Sequence, residues 1–361
     1  MNGKNVIVAM SGGVDSSVAA ALMIQQGYNV TGIMLKLWTG DCENSDNACC
    51  TPEAVQQARQ VAGILGIPFY VDDVKKLFKS TVVDKFIEMS GKGITPNPCF
   101  YCNQSIRWGE LLDKTLSLGA DYLVTGHYVI IEEDQDHVFH LKKGVDAKKD
   151  QSYILSGLNQ KKLQKTIFPL GKFQKEEVRL IAMKYGFTVA QKPDSQDLCF
   201  VGSGGYREFL SHYSSSPIVK GNIRDSFGNI VGEHNGLAYY TIGQRKGLGS
   251  GFQSPVYVID KDVEKNEIVI GSIEALSFSS LTAGPFNWIT GKKPFFEIEY
   301  DVKIRYKSIP KKVRLSDAKD GLIQITFNEP VRDATPGQVA VVYVEDEVIG
   351  SGLIQEVFRE K

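Results

Sequence analysis

Two groups of residues in this 361-residue chain have the types and spacing of working chemistry. The first is Ser11-Gly12-Gly13-Val14-Asp15-Ser16-Ser17, which follows the β-branched run Asn5-Val6-Ile7-Val8-Ala9 and opens a helical pattern. Glycines at such a junction let backbone N–H groups close on an anion, and the helix N-terminus adds its positive end, so the segment reads as a phosphate cradle. Neither Gly-x-x-x-x-Gly-Lys-Ser/Thr nor Gly-x-Gly-x-x-Gly occurs there, which removes the usual kinase, GTPase and dinucleotide readings. The second group is Cys99-Phe100-Tyr101-Cys102, after Pro96-Asn97-Pro98, joined far along the chain by Cys199 in Asp197-Leu198-Cys199-Phe200. A lone Cys-x-x-Cys fits a zinc half-site, a redox pair or two buried thiols, and spacing alone does not choose among them.

The other candidates carry less. Cys42, Cys49 and Cys50 precede a helix cap with no partnering histidine, so no zinc site is assigned to them. His137 and His140 sit three apart in a charged stretch with Glu132, Glu133, Asp134 and Asp136, which reads as a solvated hairpin.

The elements that must position these residues follow from periodicity. The first third alternates strand-like runs (Val6 to Ala9, Val30 to Leu35, Ile67 to Val71) with helical patterns (Ser16 to Gln26, Thr51 to Leu65), the signature of a parallel α/β sheet. Thr51 caps the second helix with Pro52 at its first position; Ala54, Ala58, Val61, Ala62 and Leu65 form its apolar stripe, and Gly66 stops it. A further strand, Tyr122 to Thr125, delivers Gly126 and His127 to a carboxyl end, where open α/β sheets bind ligands. After about residue 205 the texture turns to glycine-punctuated β segments. Runs at Phe296 to Tyr306, Lys312 to Leu315, Leu322 to Phe327, Val339 to Val344 and Val348 to Leu353 predict a compact antiparallel barrel.

Composition sets the class. Apolar and charged fractions of 42% and 23% are those of a globular protein with a real core, and length predicts two or three domains. No run of eighteen apolar residues and no leader pattern is seen, so the expected location is cytoplasmic, with no membrane association. Six cysteines are too sparse for a disulfide scaffold. Net charge is −1, yet eight cations (Lys292, Lys293, Lys303, Arg305, Lys307, Lys311, Lys312, Arg314) face only Glu297, Glu299 and Asp301 across residues 292–314. Such segregation suits a polyanionic partner.

Ser-Gly-Gly-x-Asp-Ser resembles the PP-loop of ATP pyrophosphatases. With Cys49-Cys50-Thr51-Pro52-Glu53, Thr95 to Asn103, Thr125-Gly126-His127-Tyr128, Lys149 to Tyr153, Cys199-Phe200 and Tyr240 to Gly249, nearly the whole chain resembles the bacterial tRNA-specific 2-thiouridylases, the MnmA family. The resemblance implies three parts: a PP-loop catalytic α/β domain over 1–205 with a parallel sheet, a small β-rich central adaptor domain over 206–278, and a tRNA-binding C-terminal antiparallel β-barrel over 279–361. It implies that Ala9, Met10, Ser11, Gly12, Gly13, Val14, Asp15, Ser16, Leu35 and Gly126 hold ATP with Mg²⁺. Asn97, Pro98 and Cys99 would adjoin the target base, and His127, Lys149, Asp150, Gln151, Arg305, Tyr306 and Gln338 would contact a tRNA with a wobble uridine.

The same resemblance implies a mechanism. AMP transfer to the uracil 2-oxygen, with loss of pyrophosphate, makes that oxygen a leaving group. Cys199, charged by an upstream persulfide donor such as a cysteine desulfurase or relay protein, delivers sulfur, and Cys102 resolves the linkage as a disulfide. Asp15 belongs to the catalytic set with both cysteines. Because Cys99 adds a third thiol, an alternative has Cys99, Cys102 and Cys199 ligating a [4Fe-4S] cluster. An ATP-dependent amidating synthetase shares the Ser-Gly-Gly-x-Asp-Ser loop and is the competing class; it has no use for paired cysteines.

Overall fold

The computed structural model describes residues 3–38, 51–193, 198–202, 204–214, 217–249, 252, 254–332 and 334–359. Cys42, Cys49 and Cys50 lie outside the described residues. Seven strands come from the first half of the chain: β1 (Asn5–Ala9), β2 (Asn29–Lys36), β3 (Phe69–Asp73), β4 (Tyr122–Val124), β5 (Val129–Glu133), β6 (Phe139–Lys143) and β7 (Thr166–Ile167). Five of them form a sheet in the order β3-β2-β1-β4-β7, and every pair is parallel. The chain winds outward in both directions from β1, so the switch point lies between β1 and β4. Parallel sheets open their ligand crevice at the carboxyl side of that point, and Ser11–Ser16 and Gly126–His127 leave those two strand ends.

Helix α1 (Val14–Gln25) buries Val18, Ala19, Ala20, Ala21 and Met23 completely, its run of small side chains letting it pack tightly below β1. Helix α2 (Pro52–Leu65) follows its sequence signals: the Thr51 hydroxyl accepts from Ala54 N at 3.1 Å, and Gly66 closes it in the left-handed conformation at φ +67°. The opposite face of the sheet, Ile7, Ile33 and Leu123, shares one core with Val339, Val341, Tyr343 and Val348 from the C-terminal end of the chain.

The predicted hairpin around His137 is β5 paired antiparallel with β6. It does more than turn. β6 also pairs with a C-terminal strand, Leu141 opposite Val348, so the hairpin splices the parallel-sheet domain onto the barrel.

A helix the sequence did not announce, Gly205–Tyr213, precedes the central strands and buries Phe209 and Leu210 against Phe200 and Phe86. Strands β8 (Gly221–Arg224), β9 (Ile230–His234), β10 (Tyr257–Asp262) and β11 (Glu267–Gly271) form a separate sheet in the order β10-β11-β8-β9 around Ile223, Val258 and Ile268.

The remaining strands are β12 (Ser277–Ala283), β13 (Asn287–Trp288), β14 (Tyr300–Lys303), β15 (Lys311–Asp317), β16 (Ile323–Arg332), β17 (Val339–Val344) and β18 (Glu347–Phe358). Six of these close on themselves as β12-β16-β15-β14-β17-β18, and the β12–β18 pairing seals an antiparallel barrel. The strand expected from Phe296 to Tyr306 is only Tyr300–Lys303. Arg305 and Tyr306 instead enter a turn in which Ser308 N donates to Arg305 O and the Ser308 hydroxyl accepts from Arg305 N. No helix among the described residues is long and apolar enough to cross a membrane.

Candidate active site

The glycine loop is built to be narrow. Gly12 adopts φ +71°, and a Cβ there would meet Ala54 O at 2.4 Å, so both conformation and space demand glycine. Gly13 caps α1 without a side chain, which leaves the first-turn N–H groups to a ligand. Ser16 Oγ accepts from Ser11 N at 3.1 Å and donates to Gly13 O, drawing the loop into a ring. Ser17 Oγ donates to the same carbonyl at 2.8 Å. Gly126 presses on that ring from β4: a Cβ there would stand 2.8 Å from Asp15 C and Ser16 N.

A cavity of about 490 Å³ opens above the loop. Of the residues expected around ATP, Ala9, Met10, Ser11, Gly13, Val14, Asp15, Ser16, Leu35 and Gly126 line it, and Gly12 lies in the loop beneath. Among the described residues five cations (Arg107, Lys148, Lys149, Lys192 and Lys307) line it against one carboxylate, Asp15, so the space suits a polyanion. Lys192 Nζ donates to Gln57 Oε1 at 2.7 Å and to Gly12 O at 3.5 Å, which holds its charge over the glycine loop.

Asp15 is held from two sides. Lys175 Nζ donates to both its oxygens, at 2.7 and 2.8 Å, and Tyr128 OH donates to Oδ1 at 2.6 Å. Lys175 is buried although it opens the helix Lys175–Lys184, where a cation opposes the helix dipole. That local anomaly is the one signal by which sequence could have found it.

His127 is 7% exposed, packed against Trp108 and Phe168. Burial, helped by the charge of Arg107, holds its pKa well below the ordinary 6.5. Arg107 Nη1 lies 2.9 Å from Nε2, and Thr125 Oγ1 lies 2.7 Å from Nδ1. Arginine only donates, so Nε2 accepts and Nδ1 carries the proton. Arg107 sits on the wide-turned helical run Asn103–Leu111, five residues past Cys102, in a stretch that no motif singled out.

The cysteine arm begins at Asn97, whose side chain accepts from Phe100 N at 3.2 Å and caps the helix Pro98–Cys102, with Pro98 at its first position. Cys102 is buried in an aromatic cluster with Phe78, Phe86 and Phe200, and Cys199 packs against the same cluster. The helix Gly205–Tyr213 makes that possible, because Phe209 locks Phe200 there. Cys99 is exposed and turned toward Tyr306, whose phenol pKa is raised by burial and by the charges of Asp150 and Cys99. Among the described residues no three His, Cys, Asp or Glu side chains form a group that could hold a metal ion. Of the three thiols in the cluster-ligand alternative, Cys99 is exposed, Cys199 half-buried and Cys102 buried.

The residues expected to touch RNA divide. Lys149, Gln151, His127 and Tyr306 line the cavity. Several also serve as joints: Gln151 Oε1 accepts from Tyr128 N, Asp150 accepts from Gly144 N and Ser152, and Tyr306 OH donates to Asp150 O. Gln338 Nε2 donates to Thr95 O and Pro96 O, seating the barrel on the cysteine arm. Arg305 Nη2 donates to Ile242 O and Thr335 Oγ1, tying the central domain to the barrel.

The profile described as tRNA methyl transferase HUP domain matches residues 4–203, the tRNA methyl transferase PRC-barrel domain residues 207–272, and the aminomethyltransferase beta-barrel domain residues 278–354. The chain is 42% identical over 358 residues to tRNA-specific 2-thiouridylase MnmA 1 of Clostridium botulinum (strain Loch Maree / Type A3), covering 98% of this chain and 99% of that one. It is 44% identical over 359 residues to tRNA-specific 2-thiouridylase MnmA of Symbiobacterium thermophilum, covering 98% and 92%. A solved structure of a 4-thiouridine synthetase–RNA complex with bound ATP is similar at 17% identity and a TM-score of 0.36, over 58% of this chain and 50% of that one.

Proposed function

The chain belongs to the tRNA-specific 2-thiouridylase (MnmA) family, and from that membership we propose that it replaces the 2-oxygen of a tRNA wobble uridine with sulfur at the expense of ATP. The observation that carries this reading is the pairing of a glycine-loop cavity rich in cations with an adjoining arm that gathers Cys102 and Cys199 into one cluster. Two of the matched domain profiles speak of methyl transfer. Methylation has no use for a pyrophosphate cradle, and the full-length relatives are thiouridylases, so sulfur is the group transferred.

ATP lies with its phosphates on Ser11 to Ser16 and its adenosine between Leu35 and Gly126. Magnesium binds commonly through one carboxylate plus phosphate oxygens, and Asp15, the only carboxylate among the described residues lining the cavity, fits that habit. When bound, the ion neutralises phosphate charge. Lys175 and Tyr128 fix the Asp15 carboxylate so that it faces the nucleotide in one orientation.

The target uracil enters beside Asn97 to Cys99. Its O2 bonds to the α-phosphorus, and pyrophosphate leaves with the bonding pair, onto the loop and Lys192. Cys199, bearing a sulfane sulfur from an upstream persulfide donor protein, attacks C2 through its terminal sulfur, and AMP departs. The Cys102 thiolate then attacks the Cys199 sulfur, releasing 2-thiouridine and closing a Cys102–Cys199 disulfide that an external thiol reductant reopens. The exposure of Cys99, against the burial of Cys102, supports this route over a cluster.

The test is the purified chain with unmodified tRNA, Mg-ATP and a persulfide donor, followed by nucleoside mass spectrometry. The reading expects 2-thiouridine. Turnover with ammonia or aspartate in place of the donor, and no thiolated product, would move the chain to the amidating class.

A further inference from the structure

Arg107 has no role in the scheme above, yet it is among the most firmly aimed cations of the cavity. Its Nη1 donates to His127 Nε2 at 2.9 Å and to Asn103 Oδ1 at 3.4 Å. The imidazole is itself immobilised, with its other nitrogen on Thr125 Oγ1 and its ring between Trp108 and Phe168. Trp108 is fixed in turn by its own hydrogen bond from Nε1 to Thr166 Oγ1 at 2.9 Å. A buried neutral imidazole locked at both nitrogens is poorly placed to shuttle protons. It is well placed to orient a guanidinium.

The position of that guanidinium distinguishes it from the other cations. Lys192 lies over the glycine loop, where pyrophosphate departs. Arg107 lies on the helical run that continues directly from Cys102, and its hydrogen bond to His127 sets it beside the β4 end that carries Gly126. It therefore stands between the phosphate cradle and the sulfur arm.

We propose that Arg107 is a catalytic residue that binds the α-phosphoryl oxygens of ATP and of the uridine adenylate, and that His127 is its positioning residue. The step is the one already balanced: O2 bonds to phosphorus, the bond to the bridging oxygen breaks, and pyrophosphate takes the pair. Arg107 exchanges no proton; it donates hydrogen bonds to equatorial oxygens whose charge is redistributed in the transition state, a planar fork matched to phosphate. The proposal rests on the thiolation reading.

The experiment omits the sulfur donor and measures tRNA-dependent pyrophosphate release, ATP affinity and tRNA affinity for the wild type, Arg107→Ala, His127→Gln and the double variant. For Arg107→Ala the expected result is a loss of release of about 100-fold or more, the usual effect of removing one transition-state donor. ATP and tRNA affinities should change by less than about tenfold, and added methylguanidinium should restore part of the release. His127→Gln should lose less, and nothing further once Arg107 is gone, because it acts through the arginine. Release within about threefold of wild type in Arg107→Ala, or additive losses in the double variant, overturns the proposal. A fall in tRNA affinity in step with release also overturns it and gives the arginine to an RNA phosphate. A wild type that releases no pyrophosphate with tRNA overturns the thiolation reading and this proposal together, whereas an active wild type isolates the arginine.

Discussion

Lys175 Nζ reaches both carboxylate oxygens of Asp15, 160 residues away in the chain, at 2.7 and 2.8 Å. The contact couples the glycine loop to the helix Lys175–Lys184 and pairs the Asp15 carboxylate that lines the cavity. Lys175→Met keeps the stem and removes the ammonium, leaving Asp15 with Tyr128 alone. Removing one partner of a largely buried pair should cost about 2 kcal/mol of stability and weaken ATP binding about tenfold through carboxylate–phosphate repulsion. Thermal denaturation and equilibrium dialysis check this, and an unchanged midpoint with unchanged affinity would disprove the coupling.

Gly12 supplies a second check on the nucleotide site. Gly12→Ala must place a methyl 2.4 Å from Ala54 O at a φ of +71°, so the loop opens or α2 shifts. ATP binding should fall at least tenfold while the barrel stays folded. Normal ATP affinity in Gly12→Ala would argue against the cradle.

These two sites show what sequence could and could not reveal. The glycine loop, the Thr51 cap, the Gly66 stop and Gly126 at a strand end are local signals, and each is where its chemistry put it. The sealed barrel was legible because strand period and turn residues are local too. Arg107 and Lys175 have partners 20 and 160 residues away; no local pattern marks Arg107, and only its place at a helix start marks Lys175. The helix Gly205–Tyr213 was missed because the glycine-rich texture around it resembled turns. Arg305 and Gln338, expected to face RNA, proved to be joints between parts of the fold as well.

These joints change the choice of RNA-binding variants. Arg305→Ala would disturb the domain junction, so Lys149→Ala with Lys307→Ala is the cleaner pair, since both line the cavity. Each lost phosphate contact lowers the slope of log affinity against log salt by about 0.7 to 0.9. The double variant should bind tRNA more weakly, with a slope shallower by about 1.5, and bind ATP nearly as before. A salt slope equal to wild type would exclude these lysines as phosphate contacts.

Two histidines give opposite pH signatures. His127 has a lowered pKa from burial and Arg107, so the unfolded chain takes the proton first. Its contribution is complete above about 6.5 and declines as pH falls below that value, by up to about 1.4 kcal/mol per pH unit. For His140 burial opposes charging, but Glu347 at 2.6 Å and Asp134 at 3.2 Å outweigh it and raise the pKa. Its contribution to the hairpin splice is complete below about 6.5 and is lost as pH rises through the raised value. Urea denaturation from pH 5 to 8 should show the acid-side decline shrinking in His127→Gln and the alkaline-side decline shrinking in His140→Gln. The reverse pattern would contradict the assignments.

The proposed sulfur chemistry gives the cysteines different steps. Cys199→Ser should still release pyrophosphate with tRNA but make no thiouridine. Cys102→Ser should accumulate a reductant-sensitive covalent adduct between Cys199 and tRNA, because the resolving thiolate is missing. Cys99→Ser, exposed and outside the apolar cluster, should retain thiolation within a fewfold. Loss of thiolation in Cys99→Ser by 100-fold or more would reopen a three-thiol site.

The central claim is that one cavity activates the uridine and one cysteine pair supplies its sulfur. It is tested most directly by a single turnover with persulfide-loaded enzyme, tRNA and ATP, without reductant, with mass spectrometry of both protein and RNA. The account predicts one 2-thiouridine for each Cys102–Cys199 disulfide formed, with equal pyrophosphate released. Thiouridine formed while both cysteines remain thiols would contradict it.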